Sequence, residues 1–181
     1  KVRLAELEDG KVAQMGIFVP GRLGMDEGEN VLSMVITSDY SGFMLFFFEN
    51  GKCARVPLES YATKTNRKRL TGAYCDKSPL RALLVLTEEQ NVAVFSTEGR
   101  ALVFNTALLA PKTSRATQGV AVMTLKPKFR LERAAFLADT TIQNLARYRM
   151  RSIPAAGALL REEDRGERQM TLLDGAEENT K

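Results

Sequence analysis

Histidine is absent from the 181 residues. With it go the commonest general base, the usual activator of a serine or cysteine nucleophile, and the commonest transition-metal ligand. Most hydrolase and metalloenzyme readings lose their main residue. Cysteine occurs only as Cys53 and Cys75, and the first residues, Lys1-Val2-Arg3-Leu4-Ala5, carry no apolar signal-peptide core. A disulfide framework therefore has little support, and a reducing cytoplasm is the expected setting. The two thiols read as small buried hydrophobes. Long apolar runs are missing too. The longest, Phe43 to Phe48, has strand length and falls far short of the ~20 residues a membrane span requires. Because it opens on Lys1, the chain reads as an excised piece of a longer polypeptide.

What is present is a repeat. The run Gly42-Phe43-Met44-Leu45-Phe46-Phe47-Phe48-Glu49-Asn50-Gly51-Lys52 returns as Gln90-Asn91-Val92-Ala93-Val94-Phe95-Ser96-Thr97-Glu98-Gly99-Arg100, with Gly51 falling on Gly99. Lys64 falls on Lys112, Thr65 on Thr113 and Arg67 on Arg115, and Gly72 matches Gly119 with a one-residue slip. A fixed period of about 48 residues, built from short strands, marks a propeller-like array whose units must stack to bury their faces. Charge recurs in the same phase. The overall net charge is +4, yet residues 52–81 hold eight Lys/Arg against two Asp/Glu, and residues 100–133 hold seven against one. Residues 1–51 are acidic, with four against eight, and residues 82–99 carry three acids and no base. Such segregation points to a polyanionic partner meeting one rim.

Phe43–Glu49 and Lys52–Leu58 read as strands joined by Asn50-Gly51, a strong hairpin signal. Val92–Ser96 and Arg100–Phe104 around Thr97-Glu98-Gly99 repeat the arrangement. Strands are also expected at Val31–Thr37, Leu83–Thr87 and Gly119–Leu125, with Arg133–Leu137 opening a third unit that is never completed. Residues 1–30, with five glycines and Pro20, form a lead-in with one strand at Val12–Val19. A β-array is expected over residues 1–139, with repeats at about 31–81 and 82–133. A tail of helical or irregular character follows over 140–181, with a cap at Thr141 and helical propensity from Leu159 to Gln169.

Several runs are specific enough to carry a resemblance. Asp39-Tyr40-Ser41-Gly42 through Lys52, then Tyr61-Ala62-Thr63-Lys64-Thr65-Asn66-Arg67-Lys68, Asp76-Lys77-Ser78-Pro79-Leu80 and Arg115-Ala116-Thr117-Gln118-Gly119-Val120-Ala121-Val122-Met123 closely resemble the C-terminal domain of a bacterial type IIA topoisomerase A subunit. The relevant members are DNA gyrase A and its topoisomerase IV counterpart. The resemblance spans roughly residues 10–139. It implies an all-β β-pinwheel, a propeller-shaped array of four-stranded blades whose basic outer edge holds and bends duplex DNA. It further implies that breakage chemistry and ATP and Mg²⁺ use lie in other domains, so no cofactor belongs to this segment. The implied partners are duplex DNA and, for the parent A-subunit dimer, the B subunits of a heterotetramer, with no membrane. Two departures stand out. Thr65-Asn66-Arg67-Lys68-Arg69-Leu70-Thr71-Gly72 has the charge of gyrase's wrapping box but one glycine, and the chain holds about two and a half repeats where full gyrase domains have six blades. A shortened or topoisomerase IV-like domain is the expectation.

The candidate phosphate-contact residues are Lys64, Arg67, Lys68 and Arg69 in the first basic connection, Lys112 and Arg115 in the second, and Lys126, Lys128 and Arg130 beyond it. Any one such run would read as a solvated loop, and recurrence shifts the balance to phosphate contact. No side chain is nominated for reading bases. Alternation puts Phe46 and Phe48 on one strand face and Phe47 on the other, as for a sheet packed on both sides. The four tyrosines lack the context of a strand-cleaving tyrosine and read as structural. Glu88-Glu89 and Asp26-Glu27-Glu29 read as solvated carboxylates, so no catalytic or metal constellation is expected. A second reading is a propeller whose basic rim meets an acidic protein surface.

Overall fold

The chain is described by a computed structural model over residues 1–7, 10, 11, 13, 15–63 and 69–166. Its elements are a short helix α1 (Val19–Leu23), strands β1 (Phe43–Phe48), β2 (Lys52–Pro57), β3 (Leu80–Leu86), β4 (Asn91–Ser96), β5 (Arg100–Asn105), β6 (Val120–Ala121) and β7 (Leu131–Phe136), a helix α2 (Leu145–Tyr148), and β8 (Ala158–Leu159). Short 3-10 turns follow β2, β5 and β7. Among the described residues no helix is long and apolar enough to cross a membrane.

The strands form two antiparallel four-stranded sheets with orders β3-β1-β2-β6 and β7-β4-β5-β8. Each sheet is built around a hairpin, with Phe46 opposite Ala54 in the first and Val94 opposite Leu102 in the second. Gly51 and Gly99 supply the positive φ that closes these turns. The outermost strand of the first sheet comes from beyond the second hairpin: β6 returns to pair Ala121 with Lys52 and Val120 with Cys53. In the same way β8 returns to pair Ala158 with Ala101 and Leu159 with Arg100. At the opposite edges β3 and β7 pack on one another.

Period-two alternation sorts the side chains into three layers. Leu45, Phe47, Cys53, Val92, Val94, Leu102 and Phe104 meet between the sheets. Met44, Phe46, Phe48, Ala54 and Val56 face outward on the first sheet, where Leu58, Tyr61 and Cys75 cover them. Ala93, Phe95, Ala101 and Val103 face outward on the second, under Tyr148 with Ile142 and Leu145. The expected division of the three phenylalanines is thus realised.

Several sequence expectations are corrected. Residues 133–137 do not open a third unit, because β7 pairs with β4 and completes the second sheet. Within 119–125 only Val120 and Ala121 form a strand, as the return to the first sheet. Val31–Thr37 forms no strand, and Val31, Leu32, Met34 and Ile36 are 53–81% exposed. Strand propensity expresses packing on a neighbouring strand, and the described residues offer this segment no free hairpin. In the lead-in, Val12 and Gln14 lie outside the described residues and Met15–Phe18 is not strand. Instead Pro20 stands at the start of α1, and Gly24, at φ +61°, stops it. Thr141 does not cap α2, since Asn144 precedes it and no side chain caps. Of Leu159–Gln169, Leu159 is in β8 and Glu162–Asp164 forms a 3-10 turn, and residues from 167 lie outside the described residues.

Candidate nucleic-acid interface

Lys64, Arg67 and Lys68 lie outside the described residues. The fold separates the other six candidate bases into two groups. Lys112 and Arg115 run beside β2, on the side away from β3. The Lys112 backbone N–H donates to the Arg55 carbonyl at 2.8 Å. Arg115 donates through Nη1 to the Ser60 carbonyl at 3.0 Å, with its guanidinium 5.7 Å from the centre of the Tyr61 ring. Burial pushes the Tyr61 phenol up to about 12, with the Arg115 charge opposing, so the ring presents a neutral face and its hydroxyl donates to the Ala73 carbonyl at 2.6 Å. Arg69 belongs to the preceding connection. Ser60, Gly72, Thr113, Ser114, Arg115 and Ala116 line an open cleft of about 480 Å³ where the two basic connections meet.

Lys126 and Arg130 lie instead at the hairpin-turn end of the sheets. Arg130 Nε is 2.8 Å from Glu49 Oε1, in the turn after β1, and the Arg130 backbone bonds Thr97 in the turn after β4. Glu49 also pairs with Arg81. Lys126 pairs with Glu98, which holds Arg100 Nε at 3.3 Å as well. Each repeat therefore places one turn carboxylate between two bases. Lys126 first, and Arg100 after it, hold the Glu98 carboxyl below its usual value against desolvation. Lys128 is exposed between them in sequence.

Arg69 is also occupied. Its Nη2 lies 3.2 Å from Asp26 Oδ2 and 2.6 Å from Glu29 Oε1, and Nη1 reaches the Gly24 carbonyl at 3.3 Å. Glu29 is oriented by the Asp26 N–H at 2.8 Å. The lead-in carboxylates are thus not merely solvated. Exposed ion pairs of this kind are worth about 0–1 kcal/mol, so a phosphate can displace them at small cost. Among the described residues Lys112, Arg115 and Lys128 have no carboxylate partner.

The chain superposes on the C-terminal domain of DNA topoisomerase IV with a TM-score of 0.65 and 21% identity, over 76% of this chain and 43% of that one. The DNA gyrase A C-terminal domain gives a TM-score of 0.60 and 17% identity, over 92% and 58%. The fold is a β-pinwheel. No family model matches the chain, and no curated protein does. The chain spans less than two thirds of either pinwheel's length.

In this pinwheel each sheet is a blade, the blades pack face to face through the shared apolar layer with β3 against β7, and β6 and β8 form the opposite edges. Sequence reasoning passed over Lys52, whose Nζ donates to Gln118 Oε1 at 3.2 Å beside the second connection. Its phase with Arg100 was the available signal. The pairing of pinwheel bases with Glu49 and Glu98 had no such signal, since the partners come from strands and loops distant in sequence.

Proposed function

We propose that the chain is a non-catalytic, DNA-binding C-terminal domain of a type IIA topoisomerase A subunit. It holds duplex by its phosphates along the free blade edges and bends it, presenting it for strand passage without reading sequence. The reading rests above all on the meeting of the two in-phase connections at one edge, where Arg115 of the second lies on the Ser60 carbonyl ahead of the first. Lys112 and Lys52 stand alongside. Lys64, Arg67, Lys68, Arg69, Lys112, Arg115, Lys126, Lys128 and Arg130 are its phosphate contacts. Strand breakage, ATP and Mg²⁺ belong to other domains of a cytoplasmic heterotetramer.

Titrating the chain with duplexes of unrelated sequence at several salt concentrations tests this. Nine contacts would give a slope of log affinity on log salt of about −8, and setting aside the three bases that already hold carboxylates leaves about −5. Similar affinity for all sequences with a slope near that range is expected. No binding at low salt, or none of the salt dependence, rejects the proposal.

One observation favours the second reading, an acidic protein surface as partner: Arg69 already donates to two carboxylates. Under that reading a polyglutamate chain outcompetes duplex in the same titration.

A further inference from the structure

The structure reveals a third basic connection that the sequence period hides. On the first blade the chain leaves β5, passes β2 where the Lys112 N–H donates to the Arg55 carbonyl at 2.8 Å, and forms β6 after Gly119. On the second blade it leaves β7, passes β5 where the Met150 N–H donates to the Val103 carbonyl at 2.7 Å, and forms β8 after Gly157. Gly119 sits at φ +72° against the Cys53 carbonyl, and Gly157 at φ +70° against the Ala101 carbonyl. From the bond to the strand edge onward the two paths repeat, each glycine lying seven residues after the bonded position. Arg55 and Val103 are in phase, as Gly51 and Gly99 are, but Met150 follows Lys112 by less than a full period. The shorter return takes this segment out of the sequence repeat.

Met150, at the place of Lys112, is flanked by Arg149 and Arg151. Both are exposed. Among the described residues neither guanidinium pairs with a carboxylate or donates a hydrogen bond. Arg147, just before them, is tethered to the Leu159 carbonyl of β8 at 3.2 and 3.3 Å. The backbone beneath them is fixed: the Arg149 N–H donates to the Leu145 carbonyl, and Tyr148, between Arg147 and Arg149, is fully buried. Two uncompensated cations are thereby held along β5, one on either side of the position that Lys112 takes along β2.

We propose that Arg149 and Arg151 form a phosphate-contact site on the second blade, taking the next stretch of the duplex held by Lys112 and Arg115 on the first. This rests on the DNA-binding reading above. The chemistry recognised is the regularly spaced phosphodiester of a duplex, and each contact releases condensed counterions.

The test uses the full chain carrying R149Q and R151Q together, titrated with duplexes of unrelated sequence across salt. The salt slope should shrink by about 1.8, or 0.9 for each lost contact. Affinity at moderate salt should fall on the order of tenfold and equally for every sequence. Thermal unfolding should not move, because neither side chain holds a partner. R149K and R151K should restore binding, since a point charge suffices for phosphate, which separates lost charge from lost structure. If the wild-type chain binds duplex and the glutamine variant shows the same slope and affinity, the second-blade site is overturned while the DNA-binding reading stands. If the wild-type chain does not bind duplex, both fall.

Discussion

Arg55 shows how much one side chain can do between blades. It lies on β2 yet reaches the next blade, where Nη1 donates to the Thr106 and Leu109 carbonyls at 3.2 and 3.3 Å and Nη2 meets Glu89 Oε1 at 2.6 Å. The Thr106 hydroxyl donates to the other Glu89 oxygen at 2.6 Å, and the guanidinium covers the Phe43 ring at 3.9 Å. Thr106 first, and Arg55 with it, hold the Glu89 carboxyl below its ordinary value against desolvation. A carboxyl whose folded value is lowered stabilises the fold fully above its unfolded value, about 4.3 for Glu, and loses that contribution as pH falls through the folded value. E89Q should therefore flatten the acid limb of a stability-versus-pH curve below about pH 4.3. At neutral pH it should cost roughly 1–2 kcal/mol in urea unfolding, below the roughly 3–5 kcal/mol of a fully buried pair because Glu89 is half-exposed and screened by solvent. In the sequence Arg55 looks like part of a basic block. Its burial depends on a partner 34 residues away, which strand alternation alone does not reveal, whereas the same alternation placed Phe46, Phe47 and Phe48 correctly.

Among the elements, the hairpins were legible because their turn chemistry is local: Asn50-Gly51 and Glu98-Gly99 carry their own conformational instruction. The returning strands were not. β6 and β8 are two residues long, and what defines them is the edge they reach. Val31–Thr37 is the converse case. Leu32 stands one repeat before Leu80 of β3 and its segment has the composition of a strand, but composition does not supply a neighbour. This lead-in instead delivers Asp26 and Glu29 to Arg69. If the first connection meets phosphate, those carboxylates compete with it. D26N with E29Q should accordingly raise duplex affinity severalfold in the salt titration, with thermal unfolding nearly unchanged because exposed pairs contribute about 0–1 kcal/mol. A fall in affinity would mean instead that the carboxylates orient Arg69 for binding.

At the scale of the whole molecule the two blades are one body. Leu45 and Phe47 of the first pack with Val94 and Phe104 of the second, and Ala155, on the path to β8, bonds Val122 and Thr124 beside β6. Calorimetry should show a single transition. F104A, at the centre of the shared layer, should cost about 3–5 kcal/mol and shift that transition as a whole, and two separable transitions would contradict the arrangement. The far face of the second blade is closed by Tyr148, whose hydroxyl donates to Asp164 at 2.8 Å and accepts from the Arg161 N–H at 3.1 Å. Nothing local in 140–166 announced that closure, because Tyr148 and Asp164 have meaning only against a face that β4 and β5 built much earlier in the chain. The supply of the first sheet's edge strand from beyond the second hairpin bears finally on how such a chain can change over generations. The stretch that a gene duplication copies, hairpin to hairpin, is out of phase with the sheet that folds. Adding or deleting one copy deprives one sheet of its border and gives its neighbour a new one. Every recombination junction is therefore tested twice, and only breakpoints acceptable to both sheets can survive.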